Sequence, residues 1–99
     1  MLKSTPTIFS IISHAASCYK TARGHEATHA FLTPYTKMRL TNEMAHSHGV
    51  GNDKMHNFSI INTIDGQLTI VIVDESKRDF LLVGNEDDYL SYVVERTVL

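Results

Sequence analysis

The segment from Asn57 to Gly84 constrains the fold most, because apolar residues fall on both sides of the strands that it predicts. The runs NFSIINTI and QLTIVIV flank Asp65 and Gly66, a dipeptide typical of the type I′ turn of a β-hairpin. The polar run DESKRD separates these runs from FLLVG, which predicts a third strand. We therefore expect a three-stranded antiparallel β-meander over residues 57–84.

Both faces of the predicted meander are apolar. Residues alternate between the two faces along a strand, and leaving either set in water would forgo roughly 1.5–3 kcal/mol per residue. Helices or a partner must therefore cover each face. One face is predicted to carry Phe58, Ile60, Ile64, Leu68, Ile70, Ile72, Phe80 and Leu82. The other face is predicted to carry Ile61, Val71, Val73, Leu81 and Val83.

Helical periodicity dominates the chain before residue 49. Apolar residues at three- and four-residue spacing predict a first helix over residues 7–22, with Thr7 as its N-cap and Gly24 at its end. Residues 25–32 predict two further helical turns. Pro34 suits the first position of a third helix, which runs as far as the glycine-containing loop HGVGND.

A last helix is predicted over residues 86–98, with Asn85 as its N-cap. Its inner stripe is predicted to contain Leu90, Val93, Val94 and Thr97, which leaves Tyr89 and Tyr92 off that stripe. The fold class is therefore α+β: N-terminal helical segments over residues 7–48 pack on the meander, and the C-terminal helix closes it. A chain of 99 residues is expected to form one domain, residues 1–99.

Composition narrows the class of protein. The chain has 42% hydrophobic and 20% charged residues, as globular proteins do. Cys18 is the only cysteine, so no internal disulfide can form, and the apolar runs are far shorter than the ~20 residues of a membrane span. We therefore expect a cytoplasmic protein without a membrane partner.

Charge is divided unevenly along the chain. Residues 1–58 contain six Lys or Arg, three Asp or Glu and all six histidines. Residues 59–99 contain three Lys or Arg against eight Asp or Glu. This division is compatible with two solvated faces of one domain or with a basic surface that meets an acidic partner.

The run GHEATHAF contains the pattern H-E-x-x-H at His25, Glu26 and His29. Two histidines one helical turn apart can bind one zinc ion, while the glutamate activates the bound water. In these five residues the chain resembles the zincin metallopeptidases. The resemblance implies that His25 and His29 are zinc ligands and that Glu26 is the general base. The candidates for a third ligand are Glu43, His46 and His48.

Two features depart from the zincin pattern. Pro34 would end the motif helix soon after His29, and the 24 residues that precede the motif predict a helix, whereas zincins place a sheet there. A catalytic zinc site is therefore an alternative hypothesis and not the main one.

The predicted order of three helices before a hairpin resembles the winged helix-turn-helix proteins, whose third helix enters the major groove of DNA. Such a helix would present Lys37, Arg39 and Asn42 to DNA. The hairpin tip carries Asp65, however, and a wing that meets phosphate should be basic.

We predict a non-enzymatic protein-binding or regulatory module that acts through a homodimer or a hetero-complex, because the second apolar face needs a cover. This prediction assigns no catalytic residue, cofactor or metal. The alternatives are a winged-helix-like DNA-binding regulator and a zinc-dependent hydrolase. The predicted interface consists of Ile61, Val71, Val73, Leu81, Val83, Tyr89 and Tyr92.

Overall fold

The computed structural model describes residues 7–48 and 59–98 as three helices and one mixed sheet of four strands. Of the predicted loop HGVGND only the backbone of His48 is described, and the predicted strand residues Asn57 and Phe58 lie outside the described residues. The elements in chain order are α1 (Ile8–Arg23), β1 (His29–Leu32), α2 (Pro34–His48), β2 (Ile60–Thr63), β3 (Gly66–Ile72), β4 (Leu81–Gly84) and α3 (Glu86–Val98).

The four strands are ordered β2-β3-β1-β4 across the sheet. Strand β1 is parallel to β3 and antiparallel to β4, and β2 is antiparallel to β3. The α+β class is therefore confirmed, but the three-stranded antiparallel meander is wrong. Strand β1 lies between β3 and β4, so these two are not neighbours. The part of the chain predicted to be all helical thus contributes one of the two interior strands.

The helical prediction for residues 25–32 is wrong because those residues form a turn and β1. Gly24 has a φ of +79°, which ends α1, and Pro34 already begins α2. Between them lies the apolar run Ala30-Phe31-Leu32, and periodicity does not distinguish a strand from a helix in so short a run. Pairing with β3 on one side and β4 on the other gives this backbone its hydrogen bonds.

Helix α1 matches its prediction to within one residue at each end. The side chain of Thr7 accepts a hydrogen bond from the backbone N–H of Ser10 at 3.0 Å. Gly24 donates its N–H to the carbonyl of Lys20 at 2.9 Å. Both predicted caps are confirmed, and each satisfies backbone groups that a helix end would otherwise leave without a partner.

A residue of α2 completes the N-terminus of α1. The backbone N–H groups of Ile8 and Phe9 donate to the Glu43 carboxylate at 2.8 and 3.2 Å. The first turn of α1 has no acidic residue of its own, so Glu43 supplies the negative charge that the positive end of a helix favours. This contact fixes α2 against the start of α1.

The predicted hairpin is confirmed, but its turn type is wrong. Thr63 pairs with Gly66, which leaves Ile64 and Asp65 as the connecting residues. A type I′ turn centred on Asp65 and Gly66 needs positive φ at both, yet none of the described non-glycine residues has one. Gly66 alone takes a φ of +121°, a conformation that residues with a Cβ rarely adopt.

The first face of the sheet carries the main core, and α1 and α2 cover it. Strand pairing places alternate residues of the four strands on this face, and the most central of them are less than 2% exposed. The core consists of Ile8, Ile12, Ala16, Ala27, Ala30, Leu32, Leu40, Ile61, Leu68 and Ile70, with Tyr19, Met44, Leu81 and Val83 packed around it.

The predicted composition of the two faces is wrong, because the inserted β1 and the observed pairing change which residues share a side. Ile61 pairs with Leu68, so these two lie on the same face although they were predicted on opposite faces. Ile60 pairs with Thr69 on the second face, where it is 46% exposed. Helix α3 covers only the other part of that face, above Phe31 and Phe80.

Helix α3 is confirmed over its predicted range, but its predicted inner stripe is wrong. Leu90 and Val94 are each 59% exposed. Tyr89 instead stacks on Phe31 with ring centroids 4.7 Å apart, and Tyr92 meets Phe80 edge to face at 5.1 Å. The predicted stripe and the observed one are offset by a single residue along the helix, so periodicity alone does not distinguish them. The observed side is buried because the larger aromatic rings pack there.

A hydrogen bond explains why the hydroxyl group of Tyr89 is tolerated in this aromatic layer. Its hydroxyl donates to the carboxylate of Glu75 at 2.6 Å, and Glu75 is only 8% exposed. The connection between β3 and β4 brings Glu75 to this position.

Within the described residues, no helix combines the length and apolar character required to cross a bilayer.

Two adjacent isoleucines of α1 test the assignment of the core. We expect Ile12→Ala to lower the free energy of unfolding by about 2–5 kcal/mol, because Ile12 is 0% exposed and its removal leaves a cavity. Ile11 is 41% exposed, so Ile11→Ala should cost less than about 1 kcal/mol. Urea unfolding followed by circular dichroism measures both values, and equal losses would contradict the described orientation of α1.

Candidate functional site

Strand β4 forms one edge of the sheet. Its inner side pairs with β1, and no strand within residues 7–48 and 59–98 pairs with its outer side. The outer side of an edge strand presents backbone N–H and C=O groups that another strand can use. Helix α1 contacts β4 from the first face of the sheet, and α3 follows β4 directly and contacts it as well.

A groove of about 610 Å³ runs beside this edge, between the end of α1 and the outer side of α3. We call it the β4 groove. Leu82 and Val83 of β4 form its apolar base, and Tyr92 adds an aromatic ring from α3. The full lining is Tyr19, Arg23, Leu82, Val83, Asp87, Asp88, Ser91, Tyr92 and Glu95.

Asp88 connects the two walls of the groove. Its carboxylate accepts hydrogen bonds from the Tyr19 hydroxyl at 2.7 Å and from the Arg23 guanidinium at 2.8 Å. It also accepts the backbone N–H of Asn85 at 2.9 Å, while the N–H of Asp88 donates to the Asn85 side chain at 3.1 Å. This reciprocal pair is a capping box at the start of α3, so the carboxylate that caps α3 also ties α3 to the end of α1.

The same contacts shift two pKa values. The backbone N–H of Asn85 is the main cause that lowers the pKa of Asp88; burial opposes it, and the bonds from Tyr19 and Arg23 assist it. The hydrogen bond to Asp88 raises the pKa of Tyr19, with burial as the second cause. At neutral pH, Asp88 is therefore ionised and Tyr19 is protonated, which is the pairing that their hydrogen bond needs.

The wall formed by α3 is acidic. Asp87, Ser91 and Glu95 follow one another at four-residue spacing, so they form one stripe along the groove. All three are exposed. The charge of Asp88 is matched by Arg23 at 2.8 Å, whereas Asp87 and Glu95 form no ion pair among the described residues. The groove therefore carries excess negative charge on one side of an apolar base.

The residues predicted as an interface do not form a single surface. Ile61 is 1% exposed within the core, and Leu81 packs against that core. Tyr89 points into the aromatic layer under α3. Only Val83 and Tyr92 of the predicted set line the β4 groove. The two remaining residues, Val71 and Val73, are half-buried elsewhere on β3 and just after it.

The sequence interpretation missed most of the residues that form the groove. Tyr19 and Arg23 lie more than sixty positions before Asp88, and no local pattern connects them. A usable signal was present on α3, where Asp87, Ser91 and Glu95 share one helical face.

The H-E-x-x-H residues do not share a helical face. His25 lies in the turn after α1, where its ring meets Tyr19 edge to face at 5.4 Å. His29 lies in β1, with Nδ1 2.7 Å from the hydroxyl of Thr28 and Nε2 3.7 Å from Glu86. Glu26 forms an ion pair with Lys20 at 3.6 Å. The helix on which the zincin resemblance depends is therefore not formed.

None of the described side chains supplies a third zinc ligand to this motif. Glu43, one of the candidates, holds the N-terminus of α1 instead. The side chains of His46 and His48 lie outside the description. Among the residues that the structure describes, no group of three or more His, Cys, Asp or Glu side chains is arranged to hold a metal ion.

The winged-helix order is not formed either, because β1 stands where the second helix was predicted. Burial lowers the pKa of Lys37, and the Arg39 guanidinium lies 5.9 Å from the centre of the Tyr35 ring. Asn42 also takes part in contacts within the protein. The three side chains predicted to contact DNA thus interact with the rest of the fold.

No family model, no curated protein and no solved structure matches this chain in sequence or fold.

Asp88 makes the stability of the protein depend on pH in a defined direction. The folded state lowers the pKa of Asp88 below its ordinary value of 3.8, so the folded state binds its proton less readily than the unfolded state. We expect Asp88→Asn to lower the free energy of unfolding by about 1–3 kcal/mol at neutral pH. This difference from the wild type should be complete above pH 3.8 and should shrink as the pH falls through the lowered pKa.

Asp87→Asn is the matched control, since Asp87 precedes Asp88 but makes none of its three hydrogen bonds. Urea unfolding of both variants and the wild type across the acid range measures the effect. A wild-type curve that runs parallel to that of Asp88→Asn below pH 3.8 would contradict the role given to this carboxylate.

Proposed function

We propose that this protein is a non-enzymatic protein-binding module that takes up an extended segment of a partner protein along the outer edge of β4. The proposal rests on two observations: no strand within residues 7–48 and 59–98 pairs with the outer edge of β4, and a groove bounded by α1 and α3 lies beside that edge. Addition of a strand to an exposed sheet edge is a recurring mode of peptide recognition.

The chemistry of the groove suits an added strand. Backbone hydrogen bonds to β4 would supply affinity without regard to sequence, and alternate side chains of the segment would point towards the two walls. One wall offers the ring of Tyr19 and the stem of Arg23, and the other offers Tyr92 beside the acidic stripe. Apolar contact with Leu82 and Val83 would add to the free energy of binding.

The ionisable groups at the centre of the groove are already used to hold its walls. Asp88 accepts three hydrogen bonds, and Arg23 both pairs with Asp88 and lies over the Tyr19 ring at 5.1 Å. Their arrangement supports a preformed binding surface, since walls that are fixed in advance reduce the entropy lost on binding.

Charge favours a different protein over a second copy as the occupant. Pairing two β4 strands across a two-fold axis would place the α3 helices of both copies near the shared edge, with Glu86, Asp87 and Glu95 on each. Like charges brought together in this way oppose association. We therefore assign the groove to a hetero-complex, and a homodimer through β4 is an outcome that would contradict this assignment.

A groove-filling substitution tests the proposal. Ser91 is exposed and lines the groove, so we expect Ser91→Trp to abolish binding of peptides selected on the wild-type chain from a random displayed library. Thr21 is exposed on α1 and does not line the groove, so Thr21→Trp is the matched control and should bind as the wild type does. Fluorescence anisotropy of labelled selected peptides measures affinity, and ¹⁵N chemical shifts of residues 81–84 locate the site.

Two results would overturn the proposal. One is a selected peptide whose affinity is unaffected by Ser91→Trp or whose binding leaves the amide signals of β4 unchanged. The other is a stable dimer, seen by light scattering, that Ser91→Trp dissociates and Thr21→Trp does not. In that case a second copy of the chain would occupy the groove.

A further inference from the structure

The acidic stripe of α3 sets a length scale along the β4 groove. Asp87 and Glu95 are eight residues apart in one helix, so at 1.5 Å per residue they are separated by about 12 Å along its axis. Ser91 lies midway on the same stripe, and all three residues line the groove. Helix α3 therefore runs along the groove, with a carboxylate towards each end and a small side chain between them.

An extended segment has a matching period. Its side chains point to one side at every second residue, and at about 3.3 Å per residue the positions i and i+4 are about 13 Å apart. A strand added to β4 would therefore direct residues i, i+2 and i+4 towards α3, where they would meet Glu95, Ser91 and Asp87 in one direction or the other. Residues i+1 and i+3 would meet the opposite wall.

The opposite wall does not attract cations in the same way. It presents Tyr19 and Arg23, and the Arg23 guanidinium is already paired with the Asp88 carboxylate at 2.8 Å. A Lys or Arg at position i+1 or i+3 would thus meet a carboxylate that is already paired, whereas one at i or i+4 would face Asp87 or Glu95. The groove therefore favours cationic side chains only at the positions of the segment that face α3.

We infer that the segment bound by the β4 groove carries Lys or Arg at two positions four residues apart, with a small residue midway between them. This inference rests on the proposed function and names the chemistry of its partner. The required spacing also excludes a second copy of this chain as the bound segment, because no two Lys or Arg residues in this chain lie four positions apart.

Three labelled synthetic peptides of equal length test the spacing. One carries Lys at i and i+4, the second has the same composition with Lys at i and i+3, and the third carries Glu at i and i+4. The second peptide cannot place both lysines on the α3 side by slipping along the strand, since i and i+3 point to opposite sides. We expect the first peptide to bind about tenfold more tightly than the third and several-fold more tightly than the second. Added salt should reduce these differences.

Substitutions on α3 identify the carboxylates responsible. The double variant Asp87→Asn and Glu95→Gln should bind the three peptides with nearly equal affinity, and Asp87→Lys with Glu95→Lys should prefer the Glu peptide. The charge-reversed variant is expected to be less stable, because lysine in the first turn of a helix opposes the helix dipole. The neutral double variant avoids this problem and therefore tests the inference on its own. Anisotropy titrations with each variant give the affinities.

The outcomes distinguish this inference from the proposed function. If the peptides bind alike, or if the library peptides bind in the groove and lack paired basic residues, the spacing rule fails and strand addition stands. If binding of the library peptides survives Ser91→Trp, the groove itself is not the site and the proposed function fails. Preference for the Lys i, i+4 peptide that is lost in the neutral double variant supports both.

Discussion

The fold depends on the burial of β1 on both of its faces. Ala30 and Leu32 are 0% exposed on the face that α1 and α2 cover, and Phe31 is 3% exposed on the face that α3 covers. The four residues of β1 also pair with β3 on one side and with β4 on the other. This one short strand therefore contributes to the core between the sheet and helices α1 and α2, and to the aromatic layer beneath α3.

The position of β1 also determines where a binding surface can form. Because β1 occupies the place beside β3, β4 is displaced to the edge of the sheet. Only Asn85 separates β4 from α3, so α3 begins at that edge, and Asp88 ties it to the end of α1. The groove is thus a consequence of the strand order, and its walls are held by the same bonds that cap α3.

Local signals predicted the three helices and the hairpin because their determinants lie close together in the sequence. Thr7 and Gly24 mark the ends of α1, and Asn85 caps the start of α3. Strand β1 escaped prediction because its apolar run is too short for periodicity to identify, and only pairing with distant strands makes it a strand. The groove was not predictable for the same reason: α1 supplies one wall and α3 the other, and the bond that joins them spans 69 residues.

In the proposed complex, affinity and specificity have different physical sources. The edge of β4 offers backbone hydrogen bonds that any extended segment can make, so it discriminates little between partners. Asp87 and Glu95 are exposed, and exposed charge pairs contribute modestly to affinity but affect the rate of association and the choice of partner. In the proposed complex, Asp87 and Glu95 would therefore select among the extended segments that could pair with this edge.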